Sequence, residues 1–116
     1  MTAARPLSRE AESGLRQVGR RLTDAVRQVN GEGVATDELR DVLDEVGDLL
    51  AGLARTSTVD DKAASKLLGV RDELGGHLLA AATLQQIEVP SRVVVDVLRR
   101  AAVVAEASID ALLVGR

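Results

Sequence analysis

Residues 36–55 read TDELRDVLDEVGDLLAGLAR. Leu39, Leu43, Val46, Leu50 and Leu53 recur at steps of four and three, the period that lays apolar side chains along one stripe of an α-helix. Thr36 stands in front as an N-cap. Asp37 and Glu38 follow at the positive end of the helix dipole, and Arg55 sits in the last turn, where a cation suits it. The stretch predicts a helix over 37–55 with one apolar stripe.

The same reading extends in both directions. Ala11, Leu15, Val18, Leu22, Ala25 and Val29 form a heptad stripe, so a first helix is expected over about 8–29. Asn30 and Gly31 tolerate a left-handed cap, and Gly33 keeps the following turn open. A third helix is expected over 59–88. It opens at a capping box, Ser57 with Asp60 or Thr58 with Asp61, and carries Ala63, Leu67, Val70, Leu74, His77, Ala81 and Leu84. Gly75-Gly76 interrupts it, and each glycine costs about 1 kcal/mol relative to alanine inside a helix, so a kink or a short break near 75–76 is expected. Pro90 ends this segment and introduces a fourth helix over 91–114, since proline is tolerated in a first turn.

The fourth helix differs from the others. Its polar residues Arg92, Asp96, Arg99, Glu106 and Asp110 share one narrow stripe, interrupted by Val103, while Val, Leu, Ala and Ile fill the other directions. Such a helix is buried on several sides. Short connections imply antiparallel neighbours. The expected fold is all-α: one domain over 1–116, an up-down four-helix bundle with coiled-coil-like packing.

Composition agrees. At 116 residues, 46% hydrophobic and 28% charged, the chain has the size and balance of one folded domain. It contains no Phe, Trp, Tyr or Cys. The core must therefore come from Leu, Val, Ala and Ile, and a chain without aromatics leans away from sheet structure. Zero cysteine excludes disulfides, thiolate metal sites and thiol nucleophiles. Thirteen arginines to two lysines fit a GC-rich, bacterial coding sequence. The net charge of −3 gives no general attraction to nucleic acid or anionic lipid. No apolar run reaches the roughly 18 residues of a membrane span, and Met1 to Glu10 lack the apolar centre of a signal peptide, so a cytoplasmic location without membrane contact is expected.

Candidate chemistry is sparse. His77, the single histidine, lies on the apolar stripe with no second His, Cys or Tyr to work with, and is expected as a polar residue at a bundle edge. Asp37, Asp41, Asp44 and Asp48 align at steps of four, three and four, as a Mg²⁺ or Ca²⁺ site needs, but occupy outer heptad positions and read as a solvated acidic face. Arg9, Arg16, Arg20 and Arg27 line the outer face of the first helix. Residues 1–30 carry six arginines against three acids, +3, whereas 31–55 carry two against seven, −5. Gly31-Glu32-Gly33 lacks a third glycine and a preceding strand, so it reads as a turn rather than a dinucleotide loop. No catalytic, cofactor or metal residues are expected. In length and helical composition the chain resembles the small helical-hairpin proteins of type VII secretion. Their Trp-x-Gly turn is absent, so nothing of their function is carried over.

The apolar surface is the more informative feature. Leu68, Leu79 and Ala82 fall on outward positions of the third helix with Leu78 on its flank, and Val94, Val97, Leu98, Val104 and Leu112 belong to the many-sided fourth. Contiguous apolar surface of this kind marks an interface. The expectation is a non-catalytic protein–protein interaction module, a homo-oligomer joined through helices three and four with helices one and two outside. The arginine and aspartate rows serve as a charged face for a partner. Within a single chain, the alternative is that helices three and four form an inner pair covered by the other two. Two rival functions are nucleic-acid association through the arginine row, and an apolar-ligand pocket anchored by His77 or Arg99.

Overall fold

The computed structural model describes residues 8–32, 36–55 and 61–114, with backbone alone at 30–32 and 114. Four helices account for nearly all of them: α1 (Arg9–Glu32), α2 (Thr36–Ala54), α3 (Asp61–Gln86) and α4 (Ser91–Val114). No strand occurs among the described residues. α1 begins at a side-chain cap, the Ala11 N–H donating to Ser8 Oγ at 3.1 Å. α4 begins after Pro90, whose carbonyl accepts the Val93 N–H at 2.9 Å.

The stripes read from the sequence face inward in large part; Ala11, Val70, His77 and Leu84 are half-buried, and Ala63 is exposed. Leu15, Val18, Leu22, Ala25 and Val29 of α1 are buried, as are Leu39, Leu43, Val46, Leu50 and Leu53 of α2. α3 adds Leu67, Leu74 and Ala81, each seven residues from the next, and α4 adds Val94, Leu98, Ala101, Ala105 and Ile109 among others. Among the described residues no polar or charged residue is buried, so the core coheres by aliphatic burial alone, at about 1.5–3 kcal/mol per large side chain.

The helices do not share this core equally. α2 and α4 pack against each other and against both remaining helices, whereas α1 and α3 make no contact with one another. In cross-section α2 and α4 meet in the middle, with α1 and α3 on either side of them. The alternative of an inner pair formed by helices three and four is replaced by an inner pair of helices two and four. The reason lies beside the leucine stripe of α2: Val42, Gly47 and Ala51 are buried too, giving α2 a face wide enough for three neighbours. The apolar breadth of α4 likewise has an explanation inside the chain, since α1, α2 and α3 all pack on it.

Three local expectations are corrected. α3 runs unbroken through Gly75 and Gly76. Glycine keeps both backbone hydrogen-bonding groups, and burial of Leu74 and Ala81 on either side offsets its entropic cost. Asn30 and Gly31 do not cap α1, which continues to Glu32 beyond the buried Val29. The first two residues of Gly31-Glu32-Gly33 are therefore helical rather than turn, while Gly33 lies outside the described residues. α3 spans Asp61–Gln86 rather than 59–88, and the capping residues Ser57, Thr58 and Asp60 lie outside the described residues.

α3 ends in a Schellman motif. The Glu88 N–H donates to the Gln85 carbonyl at 3.2 Å and the Val89 N–H to the Leu84 carbonyl at 3.3 Å. Glu88 takes the left-handed backbone, φ 61°, that the motif requires, where glycine is the usual occupant. Leu84 and Val89 both pack against the core, the apolar contact that accompanies this cap.

Candidate interaction surfaces

Two open grooves run along opposite edges of the helix bundle. The α1–α4 groove, about 710 Å³, has Leu15, Gly19 and Ile109 at its base; Arg16, Arg20 and Arg27 stand on the α1 wall. Asp24 shares that wall, and Glu106 and Asp110 stand across from it on α4. The α2–α3 groove, about 470 Å³, has Asp44, Gly47 and Asp48 on the α2 wall and Arg71, Asp72 and Gly75 on the α3 wall.

All eight residues of the charged rows, Arg9, Arg16, Arg20, Arg27, Asp37, Asp41, Asp44 and Asp48, are exposed. Arg16, Arg20 and Arg27 line the α1–α4 groove and Asp44 and Asp48 the α2–α3 groove, so these residues look out from different sides of the molecule. Arg16 pairs with Glu12 at 2.8 Å and Asp37 approaches Arg40 at 3.9 Å. Among the described residues Arg20, Arg27, Asp41, Asp44 and Asp48 form no ion pair, and no three acidic or histidine side chains converge as a metal would need. Between helices, Arg21 pairs with Glu45 at 2.6 Å, and Arg40 of α2 donates to Gln85 of α3.

The apolar residues expected at an interface divide into three groups. Leu79 is 69% exposed and Leu68 37%. Leu78, Ala82, Val97, Val104 and Leu112 are half-buried at helix seams. Val94 and Leu98 are fully inside, 2% and 0% exposed, and belong to the chain's own core, so no partner reaches them. Two exposed aliphatics lie outside the expected set: Ile87 and Val103, each 65% exposed. Val103 was visible in the sequence as the residue breaking the polar stripe of α4. Ile87 follows the last turn of α3, where heptad position carries no signal.

His77 is half-buried, and neither it nor Arg99 lines either groove. No helix among the described residues is long and apolar enough to cross a membrane. No family model matches the chain, and no curated protein or solved structure matches it either.

Proposed function

We propose that the chain is a non-catalytic, cytoplasmic protein–protein interaction module that associates with copies of itself. One observation carries this reading. Leu79, Ile87 and Val103 remain about two-thirds exposed over a core that already holds more than twenty buried aliphatics. Leu79 and Val103 stand beside the two grooves, so a partner seated along either groove would remove one of them from water.

The arrangement behind this reading is the up-down bundle with heptad packing. It is supported by the contacts between consecutive helices: Gly14 lies against Leu49 and Arg21 against Glu45, so rising numbers in α1 meet falling numbers in α2. Gly47 against Arg71 and Arg40 against Gln85 repeat the relation for α2 and α3. The buried three-and-four stripes of α1 and α2 are the seams such packing uses.

The test is the native mass. Light scattering at micromolar concentration should give at least twice 12.2 kDa, and Leu79→Lys with Val103→Lys should lower it. A protein that stays at 12.2 kDa throughout the accessible concentration range would remove the self-association half of the proposal.

A further inference from the structure

Three members of each charged row match in spacing and height, whereas Arg9 comes level with Arg55 and Asp41 with Thr23. Arg16, Arg20 and Arg27 are separated by four and seven residues; Asp48, Asp44 and Asp37 are separated by four and seven in the reverse direction. On a helix these steps are about 6 Å and 10.5 Å. With α1 and α2 running oppositely, the two rows read alike along the bundle axis. They are also level. The contacts Gly14–Leu49 and Arg21–Glu45 set Arg16 within two residues of the height of Asp48, about 3 Å, well inside the reach of an arginine side chain. Arg20 then stands level with Asp44, and Arg27 with Asp37. Asp24, the acid on the arginine wall, comes level with Arg40.

The sides follow from which helices touch. The α1–α4 edge bearing the arginines and the α2–α3 edge bearing Asp44 and Asp48 lie opposite each other, because α1 and α3 flank the α2–α4 pair. A copy moved sideways, without sliding along the axis, therefore sets its α1 against α2 of its neighbour and its α4 against α3. Each edge also carries one exposed aliphatic. Val103 precedes the groove residues Glu106 and Asp110 by three and seven positions, and Leu79 follows the groove residues Gly75 and Asp72 by four and seven. Helical spacing thus puts each aliphatic on the same side as its charged row.

We infer that the occupant of each groove face is a second copy of this chain, the α1–α4 edge of one copy docking on the α2–α3 edge of the next. The two edges differ, so the contact is heterologous. Every docked copy presents a fresh edge, and growth continues as a side-by-side row instead of closing as a dimer. This deepens the self-association reading and rests on it.

Sedimentation and light scattering from micromolar to millimolar protein test it on the full chain. The expected average mass passes twice 12.2 kDa, keeps rising with concentration and falls as salt screens the rows. Arg16→Glu with Arg20→Glu leaves both edges acidic, and Asp44→Lys with Asp48→Lys sets lysines against the arginines of the docking copy, so each pair alone should weaken association at least tenfold. Mixing the two variants should restore it, as should all four substitutions in one chain, whose edges are complementary again with signs exchanged. Circular dichroism of each variant confirms that the helices are intact. The neutral pair Arg16→Gln with Arg20→Gln, weaker in effect but in the same direction, covers a reversal that fails to fold. Mass that stops at the dimer, or association indifferent to these variants but lost on Leu79→Lys, overturns the row while leaving self-association standing. A wild-type chain monomeric at every concentration overturns both.

Discussion

The Val89 N–H closes onto the Leu84 carbonyl at 3.3 Å, and the residue between them that makes the closure possible, Glu88, holds φ at 61°. A side chain in the left-handed region costs about 1–2 kcal/mol, a cost glycine avoids. Glu88→Gly should therefore stabilise the fold by about 0.5–1 kcal/mol after its greater unfolded-state entropy is deducted. Glu88→Val, β-branched at the same φ, should destabilise it by about 1 kcal/mol or more. Denaturant midpoints at constant slope will show both. A Glu88→Gly protein less stable than the parent would mean that the turn does not hold this conformation in solution.

Gly75 and Gly76 invite the opposite substitution. Both lie inside the unbroken α3, and a Cβ at either would meet no atom within 4 Å. Alanine should then add about 1 kcal/mol of stability per site through helix propensity alone. Loss of stability in Gly75→Ala or Gly76→Ala would show that α3 bends at this pair in solution.

The difference between these two sites explains how much of the fold was legible in the sequence. Heptad stripes, with their caps and proline, revealed four helices because burial of Leu15, Leu43 or Leu98 repeats along each helix and speaks with one voice. The glycine pair does not break α3, because local propensity, about 1 kcal/mol per residue, yields to tertiary packing of Leu74 and Ala81. The central position of α2 turned on Val42, Gly47 and Ala51, residues too small or too near the main stripe to stand out. Each charged row could be read as exposed, but not the side it faces. Arg20 lines the groove beside α4 and Asp44 the groove beside α3, and which groove each joins depends on which helices are neighbours.

Burial separates two leucines five residues apart on α3. Leu74 is 1% exposed and Leu79 69%. Leu74→Ala should cost about 2–5 kcal/mol by removing core methyl groups and leaving a void. Leu79→Ala, measured where the chain is most dilute, should change unfolding free energy by no more than about 0.5 kcal/mol. Equal losses at the two positions would indicate that Leu79 is covered within the single chain.

The arginine row should not make the chain a nucleic-acid binder, because its field is cancelled at close range. Arg16, Arg20 and Arg27 share their wall with Asp24, and Glu106 and Asp110 stand across the groove, so a phosphate backbone laid along it would meet as many acids as bases. Non-specific affinity grows with the number of phosphates neutralised by basic side chains without opposing charge. No aromatic side chain exists in the sequence to stack on bases. Duplex and single-stranded oligonucleotides at physiological salt should therefore bind more weakly than about 100 µM, the weak end of non-specific association. Fluorescence anisotropy measures this directly. Micromolar binding by the unmodified protein that disappears in Arg16→Glu with Arg20→Glu would make the arginine row a phosphate contact and reverse the functional reading.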